Sequence, residues 1–328
     1  MPLFKNLIAY RIAPEWTPPA LDVIEAEMQR LAFQPCGATQ ELSVGWLPPR
    51  GEENGAMVEI IGGQWLMKLG LERKAVPGGA VRAELEARCK AIEAEQGRKP
   101  GRKEKTEIKE EIIQTFLPRA FSKRASHMIW LDPENRLLMV GAGSTRAAEA
   151  VLKQVTDLMA ELRHVLSLSL ISTATSPSAA MAHWLSTKEA PAGFSIDRDL
   201  ELKNAGEEKS VVRYARHTLE LDEIGQHIQE GKMPTQLAMT WEGKVSFMLT
   251  ESLVLKKIDL QGADDNLGKD NGFDADAAIA TGELAALLPD LLAALGGEQA
   301  LGVPAAVAAP VPASAQGPQA AELEEAPF

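Results

Sequence analysis

The apolar residues of this chain come in short runs whose periodicity keeps changing, and this constrains the fold more than any other feature. LFKNLIAYRI (3–12) is continuously apolar and strand-length, as a buried strand is. MVEII (57–61) and QWLMKLGLE (64–72) flank Gly62-Gly63, a two-residue hairpin signal. Helical spacing appears at Leu21, Ile24, Met28 and Leu31 after Thr17-Pro18-Pro19, which predicts a helix with Thr17 as N-cap. It returns at Val81, Leu85, Cys89 and Ile92, and again at Ile108, Ile112 and Phe116. Between those two helices lies GRKPGRK (97–103), whose Gly97, Pro100 and Gly101 break helix. A protruding helical hairpin with a basic turn is expected over 76–125, stopped by Pro118.

The rest of the chain keeps switching in the same way. SHMIWLD (126–132) and RLLMV (136–140) are strand-like, and Ser144 caps a helix to about 162. TSPS (175–178) and 187–191 are expected to be loops, 210–221 a strand, and 221–232 a short helix. A strand meander follows over 236–260. A last helix lies within 275–295, should kink at Pro289, and stops at Gly296-Gly297. Such irregular interleaving predicts an α+β fold with mixed, largely antiparallel sheets, not a doubly wound α/β one. The expected parts are an N-terminal α/β portion of the body (1–75), the helical hairpin (76–125), and a C-terminal α+β portion (126–297). The segment 298–328 is rich in Ala, Pro, Gln and Gly and is expected to be a disordered acidic tail.

Two cysteines, Cys36 and Cys89, exclude a disulfide framework. No run of about 18 apolar residues suggests a membrane span. The N-terminus has too short an apolar run for a signal peptide. A cytoplasmic protein is expected.

Several constellations are weak. GAGSTR (141–146) follows a strand and opens a helix, but Arg146 stands where a phosphate-binding loop has its third glycine. No two histidines have metal-ligand spacing. DDNLGKDNGFDAD (264–276) puts Lys269 where a calcium loop needs glycine. No metal, cofactor or catalytic residue is assigned.

Charge is the positive signal. The formal net charge is −12, but residues 260–328 alone carry eleven Asp/Glu and one Lys. Residues 88–124 hold eleven Lys/Arg against six Glu. A basic segment on a near-neutral body suits a polyanion. The candidate contacts are Arg98, Lys99, Arg102, Lys103 and Lys105 in the turn, with Arg119, Lys123 and Arg124 after the second helix. Arg213 and Arg216, with Lys256 and Lys257, could add to them from other strands. No helix-turn-helix, zinc finger or base-stacking motif accompanies these cations, so the expected contact is with the phosphate backbone. Phe121 sits directly between cations and is either a core plug or an apolar contact exposed for a partner.

The stretches LFKNLIAYR (3–11), AFQPCG (32–37), GWLPP (45–49), LPRAFSK (117–123), MIWLD (128–132), HIQEGK (227–232) and TGELAALL (281–288) resemble the RdgC family of bacterial recombination-associated DNA-binding proteins. The resemblance runs to about Gly297. It implies a non-enzymatic, ring-shaped homodimer around double-stranded DNA, with little sequence preference. It also implies a nucleoid-associated role that limits RecA-dependent recombination and acts in replication-fork repair. Phe121 aligns with a phenylalanine at one of the ring's two dimer contacts. Arg216 and His217 align with a polar pair near the other, where histidine is a departure. Two other classes compete: a metal-dependent DNA-processing enzyme, and a protein-interaction module with an acidic partner.

The tail ends in Glu324, Glu325, Ala326, Pro327 and Phe328. It resembles the C-terminal tip of bacterial single-stranded-DNA-binding proteins, which implies repair enzymes as further partners.

Overall fold

The computed structural model describes residues 3–204, 210–216, 219, 221–261 and 272–299. His217 and the tail residues Glu324, Glu325, Pro327 and Phe328 lie outside the described residues, as does 262–271 of the acidic loop.

The strands are β1 (Asn6–Ile12), β2 (Leu42–Leu47), β3 (Val58–Ile61), β4 (Gln64–Lys74), β5 (Ser122–Asp132), β6 (Leu137–Val140), β7 (Leu168–Leu170), β8 (Phe194–Asn204), β9 (Val211–Tyr214), β10 (Lys232–Trp241), β11 (Val245–Thr250) and β12 (Leu255–Leu260). The helices are α1 (Leu21–Arg30), α2 (Gly78–Gln96), α3 (Arg102–Phe116), α4 (Thr145–Glu161), α5 (Pro177–Thr187), α6 (Leu221–Gln229) and α7 (Gly272–Ala294). The fold is α+β, as expected. Ten strands run in the order β2-β4-β5-β6-β1-β12-β11-β10-β8-β9, with β3 added on β4 and β7 on β1. All the pairings between these strands are antiparallel.

β1 explains why its sequence is continuously apolar. Its first residues, Asn6 and Leu7, pair with β12, and Ile8–Arg11 pair with β6. Successive side chains point to opposite faces, and both faces are buried. Leu7 and Ala9 join a large core with α5, α7 and the C-terminal strands. Ile8, Tyr10 and Ile12 join a second core with α1 and α4. β6 divides in the same way: Leu137 and Met139 enter the first core, Leu138 and Val140 the second. A strand covered on both faces loses polar alternation. Trp130 on β5 is fully buried, and its indole N–H donates to Gln64 Oε1 at 2.6 Å, so burial leaves no orphan donor.

The Gly62-Gly63 hairpin forms as expected. Both glycines have positive φ, 57° and 81°, the geometry of a two-residue turn between β3 and β4. Ser144 caps α4 by accepting from Ala147 N.

Three local expectations fail. α1 begins at Leu21 with Ala20 as N-cap, not at Thr17. Each proline keeps the residue before it out of the α region, so Thr17 and Pro18 are both held extended. TSPS is not a loop: Ser176 caps α5 and Pro177 is its first residue, a favourable pairing of hydroxyl cap and N1 proline. The strand expected at 210–221 is confined among the described residues to Val211–Tyr214. α7 continues through Pro289. This helix is also long and apolar enough to cross a membrane by length and composition, contrary to the expectation. Its Ala277, Ala280, Thr281, Leu284, Leu287, Leu288 and Leu291 are instead buried, and the apolar ones belong to the large core.

Candidate nucleic-acid interface

β4 and β5 are long strands of 11 residues each, paired from Trp65 opposite Leu131 to Lys74 opposite Ser122. The chain leaves the sheet at Lys74 and re-enters beside it at Ser122. Everything between is α2, α3 and their short connections. The two helices meet through a small third core of Val81, Ile108 and Ile112, with Leu85, Ile92, Ile113 and Phe116 partly buried against it. Gly97 ends α2 with φ 65°, a left-handed cap that costs glycine little. Glu104 reaches back from the first turn of α3 to Gly101 N at 3.4 Å.

The cations in this connection are exposed and weakly tied. Arg98 pairs with Glu104 at 2.7 Å, Lys99 with Glu93 at 3.6 Å, and Lys103 with Glu107 at 4.0 Å. Hydrogen bonding from Arg98 holds the Glu104 carboxyl below its ordinary range. Arg102 and Lys105 have no carboxylate partner among the described residues.

At the other end of the helices, Phe121 is 91% exposed. Its carbonyl accepts from Ala75 N at 3.3 Å, so its backbone is fixed across the mouth of the insertion. Arg119 and Lys123 flank it, exposed and without a carboxylate partner among the described residues. Lys123 sits opposite Arg73 in the strand pair. Phe121 is therefore not a core plug.

Beside Phe121 is an open crevice of about 610 Å³ between the end of β4 and the two helices. Val76, Val81, Leu85, Ile113 and Leu117 give it apolar walls. Arg73, Lys74, Arg82 and Lys109 line it against one carboxylate, Glu41. Sequence reasoning missed these four cations. Arg82 and Lys109 belong to different helices, and only the packing of α2 on α3 brings them to one place.

Arg124 and Arg213 are held differently. Arg124 donates to Glu72 at 2.7 Å, and the two stand directly opposite on β5 and β4. Glu72 is only 3% exposed. Burial pushes its carboxyl up, but hydrogen bonds from Ser122 and Arg124 outweigh burial and hold it low. Arg213 repeats the arrangement, opposite Glu201 on β9 and β8 and 2.6 Å from it. Glu201 is 6% exposed and also takes Lys203 at 2.8 Å and Thr235 at 2.7 Å. Burial again opposes ionisation, and these donors bring the carboxyl down to about 2.

Arg216 has φ 55°, and its backbone N–H donates to Asp199 Oδ1 at 2.9 Å. With Lys257 it lines a separate shallow concavity that also contains Asp197 and Asp199. Lys256 lies on β12, with its Cα paired to Asn6. The candidate cations therefore lie in three places: the turn between α2 and α3, the other end of those helices, and the side of β9 and β12. β5 and β9 are seven strand steps apart in the sheet, roughly 34 Å at the usual spacing.

Among the described residues no group of three or more His, Cys, Asp or Glu is placed to hold a metal ion. The family model described as "Putative exonuclease, RdgC" matches residues 2–298. The chain belongs to the RdgC family. Recombination-associated protein RdgC of Dechloromonas aromatica is 43% identical over 309 residues, covering 90% of this chain and 98% of that protein. The RdgC proteins of Janthinobacterium sp. and Herminiimonas arsenicoxydans are 43% and 42% identical, with 90% of this chain covered in each case and 98% and 99% of theirs. The RdgC family match ends at 298, so the acidic tail lies beyond it.

Proposed function

We propose that this RdgC-family chain is a non-enzymatic protein that encircles double-stranded DNA as a dimeric ring, without sequence preference. In this role it limits RecA-dependent recombination and acts in replication-fork repair at the nucleoid. The observation that carries the reading is Phe121, a large aromatic side chain 91% exposed between Arg119 and Lys123. Such a residue is a liability in an isolated subunit and an anchor in a contact. In a two-fold contact the same patch meets itself, so each dimer uses Phe121 twice. The apolar crevice beside it is the natural seat for the partner's phenyl ring. α2 and α3 act as a protruding hairpin that carries its basic turn toward the DNA. The resemblance assigns Arg216 and His217 to the second contact, and Arg216 follows β9 at the opposite end of the strand order from β4 and β5. A ring closed at two places presents cations to phosphates on several sides and needs no base readout.

The test is DNA binding at several salt concentrations, on linear and on covalently closed DNA, with dimer mass followed in parallel. If five to eight cations neutralise phosphates, the log–log salt slope is about −5 to −7. Phe121→Ser should open one contact and leave each subunit folded. A globally unfolded Phe121→Ser protein, or one with both dimer contacts and DNA affinity unchanged, overturns the role given to Phe121. Cleavage of the same DNA on addition of Mg²⁺ would instead favour the enzyme reading attached to the family description. Binding that ignores salt, with an acidic protein bound in place of DNA, would favour an interaction module.

A further inference from the structure

We propose that the crevice between β4 and the α2–α3 pair is a receptor for this chain's own C-terminal end, residues 322–328. The crevice and the segment match in three respects. The walls are apolar and the volume, about 610 Å³, is ample for one aromatic side chain. The crevice lining carries Arg73, Lys74, Arg82 and Lys109 against Glu41 alone. Arg73, Arg82 and Lys109 have no carboxylate partner among the described residues. The segment ELEEAPF offers Glu322, Glu324 and Glu325 beside one phenylalanine. An aromatic anchor in an apolar pocket fixes such a peptide, and the cations around it set its orientation and capture rate.

The reach is adequate. Glu298 pairs with Arg11 on β1, and Gln299 N donates to Ser172 O at 2.8 Å, so the last described residues are pinned there. Arg11 pairs with Leu137, which pairs with Asp132 near the Trp65 end of β4. The crevice is thus three strands across and about ten residues along from Arg11, roughly 35 Å by ordinary strand spacing. A linker of 29 residues has the chain length for a root-mean-square span of about 30 Å and a much longer full extension. Tethering at that length gives an effective concentration near the millimolar range.

Docking itself needs only the crevice and the tail. Its consequence rests on the dimer reading above. If the partner's Phe121 uses the same crevice, the tail competes with it and biases the ring toward opening.

The experiment uses a fluorescent peptide of residues 319–328, the full-length protein, and a version ending at Gln299. The shortened protein should bind the peptide with micromolar affinity, and the full-length protein at least about tenfold more weakly, because its own tail occupies the site. Deleting Phe328 from the peptide should weaken binding about tenfold or more, and so should Arg82→Glu with Lys109→Glu in the shortened protein. Equal affinity for full-length and shortened proteins overturns the proposal. So does equal binding of the peptide without Phe328. Phe121→Ser in the shortened protein separates the two readings. Tighter peptide binding supports competition with the partner. Unchanged binding removes the competition and leaves the docking standing.

Discussion

The arginines of the strands and the cations of the α2–α3 connection are held in opposite ways. Arg124 and Arg213 each lie across a strand pair from a buried glutamate, at 2.7 and 2.6 Å. The turn residues Arg98, Lys99 and Lys103 touch only exposed or half-exposed carboxylates on their own helices or their neighbours, and Arg102 and Lys105 touch none among the described residues. A cation engaged by a buried carboxylate is fixed in place and already partly neutralised, while a weakly tied one is free to turn toward another anion. Basic residues that look alike in the sequence therefore divide into those anchored to the sheet and those left loosely tied.

The largest expected effect falls on the sheet side. Glu201→Ala removes an acceptor shared by Thr235, Lys203 and Arg213. It should reduce unfolding free energy by about 2 kcal/mol, less than a wholly buried pair because the cations stay hydrated. Glu104→Ala, its counterpart at the turn, should change stability by under about 0.5 kcal/mol. Urea unfolding measures both, and equal losses would break the distinction.

Acid provides the next test. The Glu201 carboxyl lies at about 2 in the folded protein against an ordinary 4.5. A depressed folded value contributes stability above the unfolded value and loses it as pH falls. That contribution, roughly 1–3 kcal/mol, should therefore be present above about pH 4.5 and fade toward pH 2. Glu201→Gln should flatten unfolding midpoints over this window. An unchanged pH dependence would mean that the pairing does not favour the ionised form.

Smaller effects sharpen the contrast on the DNA side. Arg102→Ala with Lys103→Ala should flatten the log–log salt slope of DNA binding by about one to two units and leave unfolding unchanged. Arg213→Ala should do the reverse, costing about 1 kcal/mol of stability with little change of slope. If Arg213→Ala flattens the slope as much, the sheet arginines belong to the interface as well.

This division also explains what the sequence revealed. β1, the Gly62-Gly63 hairpin, α2, α3 and α4 were legible because each has a local signal: a continuous apolar run, paired glycines, helical spacing or a hydroxyl cap. β8 was not. FSIDRDLELKN alternates charge with apolar residues, and its register against β10 shifts twice. Its Glu201 resembles a surface residue until β9 and β10 bring Arg213 and Thr235 to it. α5 was hidden by Ser-Pro-Ser, which serves equally as a turn and as a helix start. The basic turn was visible in composition, but the crevice was not, because its lining comes from β4, α2 and α3 together. Phe121 was conspicuous between its cations, and only its exposure decides that it faces outward.

β1 has a consequence for synthesis. It leaves the ribosome well before its partners, residues 137–140, 168–170 and 255–256. Its two faces belong to two cores, one of which includes α7 near the end of the described chain. The nascent chain must therefore carry β1 unpaired until residues 137–140 have been made, and its first residues, Asn6 and Leu7, unpaired until β12 follows. Pairing over such sequence distances is slow and leaves an exposed edge open to wrong partners. The second core draws almost entirely on residues up to Leu166, whereas the first also needs α7, so the body should gain its full stability only late in synthesis.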